Sequence, residues 1–554
     1  MAFLLMLSPA VAGGWSTFGH DAQRTSKAEV VGPASVESTL TVELADGQSI
    51  NMPPVVTDSG LVLAGTWGMV RSGGESDRSQ WDKFDGALFA FDESLAPLWR
   101  HQPDLTPWCY SYDGRSNAEQ CPDGGEVNTY NGTVEGTPAV GEAGIFFGRG
   151  DGKVYAVTED GDRIWTFSTF NPEDTADPEG GGEVVGGPAL TPDGAVVFGT
   201  IAAGDYETNA IYAVEQETGT LRWRYPDADR GLDVILLAPP ALSPDGATVY
   251  LGGAWGPTVD FNAEAKGVIW ALDVASGELR WSFEPVAEDL WWAPQAWIQR
   301  IAVGADGTIY ASGSESTLDA GHAVVMAITD DGDHATDKWG HWPEVDGNAA
   351  QWTLGLALDE VDGQTWRIVL GSSNAPILGA YPDGGGVVAI DAATGDEEWE
   401  FLPRAQGWAG GVTGVSLDAN GNVYATVSGA SDGGRVFALD DAGALTWSVA
   451  LGGQAEWGSP VLGPDGAVYV GDTRQCALRG FPIEDGYCDS VNITPTLYAI
   501  RGDSEPLDTG RTDTVPTDTG DCGGGCGGAM GAPWLVPALG LAVGRRRRPG
   551  LRRG

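Results

Sequence analysis

One repeating unit constrains this chain more than anything in its composition. GVIWALDVASGELRWSFEP, residues 267–285, reads as an apolar strand ending at Asp273, a tight turn at Ala275-Ser276-Gly277 and a second strand carrying Trp281. Alternation of apolar and polar residues around a glycine turn is the pattern of a β-hairpin. Related units are GALFAFDESLAPLWRHQ at 86, GKVYAVTEDGDRIWTFS at 152 and NAIYAVEQETGTLRWRYP at 209. Further on come HAVVMAITDDGDHATDKWG at 322, GVVAIDAATGDEEWEFLP at 386 and GRVFALDDAGALTWSVAL at 434.

Each hairpin has an upstream companion of two short strands. The companions are PPVVTDSGLVLAG at 53, TPAVGEAGIFFG at 137, GPALTPDGAVVFG at 187 and PPALSPDGATVYLG at 239. They continue with QRIAVGADGTIYASG at 299, GLALDEVDGQTWRIVLG at 355, GVSLDANGNVYATVSG at 414 and SPVLGPDGAVYVG at 459. Turns such as Pro-Asp-Gly place glycine where the backbone needs a positive φ. Companion plus hairpin makes four antiparallel strands. The hairpin tryptophans, Trp99, Trp165, Trp223, Trp281, Trp339, Trp399 and Trp447, stand 48 to 66 residues apart. That period fits four-stranded blades with insertions of varying length, which is a β-propeller.

Eight companions and eight third strands are present, the last being YAIRG at 498–502, but only seven tryptophan-bearing fourth strands follow them. The missing strand lies at the other end. STLTVELADGQSINMPPVV (38–56) aligns with ALTWSVALGGQAEWGSPVL (444–462), so residues 39–44 are expected to form the outer strand of the last blade. Pairing the two ends of the chain in one blade removes an open sheet edge. The expected fold is all-β: a single eight-bladed propeller over residues 13–505, closed by an N-terminal strand.

The pattern Y/W-A-L/I-D…TG…W, repeated over roughly residues 15–505, resembles the quinoprotein or PQQ-like β-propeller family. WSTFGHDAQRTS at 15–26 is similar to the lead-in of such proteins. The resemblance implies the fold and leaves the activity open, because many members bind no quinone.

In a four-stranded blade the first-to-second and third-to-fourth turns lie on one face of the disc. The second-to-third connections and the links between blades lie on the other. The first set is uniformly tight here, whereas the insertions at about 66–85, 101–135, 169–185, 253–266, 284–298, 340–353, 372–385 and 471–495 all belong to the second. One face is therefore expected to be smooth and the other elaborated. The long loops also hold aromatics outside the repeat positions. Trp67, Trp108, Trp255, Trp291, Trp292, Trp297, Trp352, Trp408 and Trp457 are the candidate ligand-binding residues, with Trp81, Tyr110, Tyr112 and Trp342 nearby in sequence. Such rings suit stacking on a sugar, quinone or peptide, and each could instead pack its own loop onto a blade.

Charge narrows the partners. A net charge of −48, from 78 acidic and 30 basic residues, repels phosphate backbones, so no nucleic-acid binding is expected. The acidity reads as a strongly solvated surface, with calcium in acidic loops the alternative. Cys109 and Cys121 are twelve apart, as are Cys476 and Cys488, each pair in a Gly/Asp-rich loop. In an exported chain they read as two loop-stapling disulfides; zinc is the alternative, without a CxxC or a nearby histidine to support it.

Export is expected from residues 1–12, MAFLLMLSPAVA, which read as a signal peptide cleaved before Gly13, although no basic residue precedes the apolar run. Residues 506–521 form a Thr/Asp-rich linker, expected to be disordered. Residues 522–554 combine CGGGC (Cys522 and Cys526), the apolar GAPWLVPALGLAVG and an arginine run. That arrangement resembles the Cys-containing sorting signals of myxobacteria and their relatives. A weak membrane anchor is the alternative, and the segment is short and carries Pro533 and Pro537.

The sequence shows no catalytic constellation. The quinoprotein dehydrogenases that the repeats resemble hold calcium and quinone at the channel mouth, often over adjacent cysteines, and this chain has no adjacent cysteine pair. Gly429-Ala430-Ser431-Asp432-Gly433 matches GxSxG between two strands, where a nucleophile elbow has no strand-to-helix turn to sit on. DDGDHATD at 330–337 lacks the alternation of a calcium loop. Two Arg-Gly-Asp triplets, at 149–151 and 501–503, are expected by chance in so Gly/Asp-rich a chain. The expectation is a non-enzymatic exported module, with no cofactor and no assigned metal. Its partner would be an envelope or extracellular protein or glycan, its membrane contact the C-terminal tail alone, and its state a monomer. A PQQ- and calcium-dependent dehydrogenase is the alternative.

Overall fold

A computed structural model gives the architecture. It describes residues 14–44, 50, 52–66, 69–71, 81–84, 86–101, 106–111, 114–117, 128–130, 134, 136–150, 152–169, 184, 186–200, 209–226, 234–236, 238–255, 266–285, 296–315, 323–346, 348–350, 352–373, 384–428, 433–455, 458–472 and 495–507. The signal-like segment, most of the linker and the C-terminal Cys/Arg segment lie outside these residues.

The repeats fold as eight four-stranded antiparallel blades. The first four blades run from the inner strands Val55–Val56, Ala139–Gly141, Ala189–Leu190 and Ala241–Leu242 to the outer strands Pro97–His101, Arg163–Ser168, Leu221–Tyr225 and Leu279–Phe283. The next three run from Ala296–Val303, Trp352–Val361 and Val412–Leu417 to Ala335–His341, Glu397–Phe401 and Leu445–Ala450. The eighth has Val461–Leu462 innermost, then Val468–Gly471 and Thr496–Arg501, and its outer strand is Ser38–Glu43 from the other end of the chain. Among the described residues the helical element is one 3-10 turn, Pro403–Gln406.

The closing strand forms as expected, one residue earlier than the alignment placed it. Its ladder has no bulge, with Ser38 opposite Arg501 and Glu43 opposite Thr496. In each of the other seven blades the outer-strand tryptophan stands opposite an alanine, and the register slips by one beside that alanine. Leu40 faces the corresponding Ala499. The sequence alignment had carried the bulge into a strand that lacks it.

The tryptophans join neighbouring blades. Trp165 Nε1 donates to the Gln216 carbonyl at 2.8 Å and Trp223 Nε1 to the Val274 carbonyl at 2.8 Å. Trp99 and Trp339 do the same to Glu159 and Ala392. The indole of Trp223 lies under Gly277, where an added Cβ would come within 2.5 Å of the ring. Gly277 also has φ +72°, so both the turn and the contact call for glycine. At the fifth blade a side chain replaces the carbonyl: Asp330 accepts from Trp281 Nε1 at 2.8 Å and from the Tyr250 hydroxyl at 2.7 Å. The acidic turn at 330–337 thus locks one blade to the next. At the seam Trp447 donates to the carbonyl of Pro33, where the N-terminal segment takes the place of a turn.

Residues 15–28 form a strap across the axis. The innermost strand of every blade has an unpaired edge facing the channel, and its N–H groups need acceptors. Trp15, Ser16, Ala22, Gln23, Thr25 and Ser26 supply them in turn, accepting from Val56, Val140, Leu242, Val303, Leu358 and Leu417 at 2.8–3.0 Å. All six donors lie toward the first-to-second-turn end of an innermost strand, so the strap lies at the tight-turn face. Arg24, only 2% exposed, anchors it. Its guanidinium donates to the carbonyls of Phe18, Gly187, Pro188 and Pro240 and to Thr17 Oγ1. Lys27 adds an ion pair of 2.7 Å to the fully buried Asp359. The lead-in motif at 15–26 is this strap.

Candidate functional site

The two faces differ as the loop lengths predict. The blade-to-blade links and second-to-third connections join the strand ends opposite the strap, and three small additional sheets are built there, one of them Glu344–Val345 with Asn348–Ala349 between the fifth and sixth blades. A hairpin, Met69–Arg71 with Trp81–Phe84, fills the second-to-third connection of the first blade. A three-stranded sheet, Thr106–Ser111, Gly114–Asn117 and Asn128–Tyr130, fills the link to the second blade. The strands Trp81–Phe84 and Asn128–Tyr130 pack together. In the fourth blade the middle strands lengthen to Thr248–Trp255 and Lys266–Asp273, and Val234–Leu236 pairs with the extended end. The sixth blade reaches ten residues in Trp352–Val361 and Gln364–Ser373.

The candidate tryptophans fall into three groups. Trp255, Trp297 and Trp352 occupy the long-loop ends of strands in adjacent blades, opposite Lys266, Ser314 and Ser373. Trp108 lies in the additional three-stranded sheet, opposite Asn117 and Asn128. Trp408 is packed: its ring is 5.6 Å from Phe437 and 6.3 Å from Phe401, with the Arg435 guanidinium 5.1 Å over it. It seals the sixth blade against the seventh. Trp67, Trp291, Trp292 and Trp457 lie outside the described residues, as do Cys121, Cys476, Cys488, Cys522 and Cys526. Cys109 is on the strand Thr106–Ser111, opposite Ser116.

Below this face, at the rim of the first and second blades, His101 is wedged between Phe147 and Tyr155 at 5.4 and 5.6 Å. Burial, with the charges of Arg149 and Arg163 beside it, pushes its ionisation down to about 4. Arg149 is fully buried and donates to the Gly86 carbonyl. The other Arg-Gly-Asp arginine, Arg501, is held by Asp465, by Tyr469 and by the Glu93 carbonyl. Both arginines hold the blades together.

The residues were also tested against the calcium and quinone implied by the family resemblance. Among the described residues no three His, Cys, Asp or Glu side chains converge as a metal site, so no step through such a group is derived. The carboxylates that are deeply buried serve the fold: Asp359 holds Lys27, and Asp418 accepts from the backbone of Gly32, Asn420 and Asn422.

The axial residues Phe18, Arg24 and Arg300 were not singled out from sequence. The repeat itself holds the signal for Arg300. Three residues before the strap-bonded position, the other blades carry Pro53, Thr137, Gly187, Pro239, Gly355, Gly414 and Ser459, and only the fifth carries a charged residue.

No curated protein matches the chain. Its fold is similar to quinohemoprotein alcohol dehydrogenase from Comamonas testosteroni, with TM-score 0.56 and 14% identity over 91% of this chain and 82% of that one. BamB from Moraxella catarrhalis aligns with TM-score 0.45 and 14% identity over 84% of this chain and 99% of that one. Both likenesses are of fold. The family model described as outer membrane protein assembly factor BamB, with the PQQ_2 repeat, matches residues 85–320 and 383–488, more than half of the sequence. This chain belongs to that family of PQQ-like propellers.

Proposed function

We propose that the protein is a non-enzymatic binding or scaffold module of the cell envelope, and that its long-loop face is the surface it uses. One-sided elaboration is the observation that carries this reading. The tight-turn face is closed by the strap and the glycine turns, while additional sheets and lengthened strands are built on the opposite face. Binding residues are carried disproportionately on variable loops held by a rigid scaffold. Membership of a family described by an outer-membrane assembly factor supports an envelope setting. The apolar segment 1–12 supports export, and Cys522 and Cys526 with the arginine run support surface sorting.

The ligand is a protein or a glycan that stacks on Trp67, Trp108, Trp255, Trp291, Trp292, Trp297, Trp352 and Trp457, in loops stapled by Cys109–Cys121 and Cys476–Cys488 disulfides. Non-reducing peptide mapping should recover both bridges in the exported protein. The decisive experiment compares the wild-type protein with a Trp291→Ala/Trp292→Ala variant on arrays of envelope proteins and glycans. Loss of a wild-type signal in a variant that melts normally supports the reading. An unchanged signal removes this face from it.

A further inference from the structure

Beside the strap lies a second arginine, Arg300. Arg300 is on the inner strand of the fifth blade, beside a register shift between Ile298 and Arg300. Its side chain is half-buried. Its Nη1 donates to the Gln299 carbonyl at 2.9 Å, and its guanidinium sits 5.0 Å over the ring of Phe18. No ion pair to Arg300 exists among the described residues. Burial alone pushes its ionisation down to about 10.

The neighbouring cation behaves differently. Arg24 shares Phe18, donating to its carbonyl, yet every arm of its guanidinium is taken by strap or blade carbonyls and Thr17. Arg24 is a structural rivet; Arg300 has donors to spare. Across the ladder from Arg300 stands Ser312, on the same side of the sheet. Ser312 is fully buried and its Oγ has no hydrogen-bond partner. A buried hydroxyl without a partner is costly unless something satisfies it, and a half-buried guanidinium with one hydrogen bond and no ion pair has donors left to offer. The fold itself does not require the arginine, because seven sister blades put Pro, Thr, Gly or Ser at this level.

We propose that Arg300, Ser312 and the ring of Phe18 form an anion site at the base of the channel, and that its ligand is a small carboxylate. The planar guanidinium fork matches a carboxylate, the serine hydroxyl donates to one of its oxygens, and Phe18 covers the apolar part of the molecule. A monoanion fits best, because 48 net negative charges on the chain oppose each additional negative charge that approaches. The strap fills the tight-turn end of the axis, so the anion enters from the long-loop side. This site goes beyond the face proposed above and does not depend on it.

The test is calorimetric titration of the full-length protein with sodium benzoate in low-salt buffer, repeated for Arg300→Gln and Ser312→Ala. The expected result is one saturable site per chain, weakened about tenfold or more by Arg300→Gln and by a smaller factor in Ser312→Ala, as loss of a charge-assisted bond requires. Benzene-1,3,5-tricarboxylate should bind no more tightly than benzoate. Without benzoate, Arg300→Gln should be about as stable as wild type, since a half-buried charge without an ion pair has been removed. Absence of saturable uptake by the wild type would overturn the proposal whether or not the variant folds, and so would equal uptake by Arg300→Gln. Tighter binding of the tricarboxylate would overturn the preference for a monoanion.

Discussion

The two faces of this propeller are built from the same eight repeats and obey different rules. On the strap face each turn leaves only two to five residues between its strands. Gly161, Gly219, Gly277, Gly395 and Gly443 are fixed there both by φ and by an indole beneath them, as Gly277 is by Trp223. On the opposite face strand lengths range from two residues in Ala189–Leu190 to ten in Trp352–Val361. The comparison teaches that one face carries stability and the other is free to vary. Five variants test the division.

The largest effect belongs to Arg24. Arg24→Ala removes one guanidinium and leaves the carbonyls of Phe18, Gly187, Pro188 and Pro240 without donors. Urea unfolding should show a loss of about 3–5 kcal/mol, the range for breaking a buried charged network. A loss below ~1 kcal/mol would mean that the strap does not close the channel. Trp223→Ala should come next, at about 3–5 kcal/mol for the indole, its bond to Val274 being lost as well. Gly277→Ala attacks the same contact from the other side and should cost at least 1–2 kcal/mol from the left-handed backbone alone.

A pH effect sharpens the boundary between the faces. The unfolded chain protonates His101 near its ordinary value, about 6.5, whereas burial and the adjacent Arg149 and Arg163 hold the folded value at about 4. The unfolded state therefore binds more protons in that window. Stability falls as pH drops from 6.5 towards 4 and levels off below it. His101→Gln removes this term, so the wild-type-minus-variant difference should shrink over that window; a pH-independent difference would show that His101 titrates normally. Smallest of all, Trp291→Ala/Trp292→Ala should shift stability by no more than about 0.5 kcal/mol while changing binding. A large loss of stability would move those residues from the binding surface to the core.

The legibility of the sequence follows the same division. Blade number, strand order and the closing strand could be read because alternation and glycine turns recur eight times, and the tryptophans seven, with small changes. The position of Leu40 could not, because a bulge leaves no mark in the sequence. Asp330 opens an acidic turn that lacks the alternation of a calcium loop, yet its carboxylate replaces a carbonyl as the acceptor of Trp281; single repeats do not show such exchanges. Trp408 looked like its neighbours in the loops and turned out to face Phe401 and Phe437. Aromatic content marks a surface without saying which rings turn inward. The hairpin Met69–Arg71 with Trp81–Phe84 was similarly hidden by its Ser/Gly/Asp-rich connection.

The most direct test of the central claim, a binding module and not a quinone enzyme, is cofactor retention. The full-length oxidised protein is incubated with pyrroloquinoline quinone and Ca²⁺, freed of excess, and read for bound quinone absorbance and melting temperature. The account predicts no retained quinone and an unshifted melt. Stoichiometric retention with a raised melting temperature would contradict it and assign the channel to oxidation chemistry.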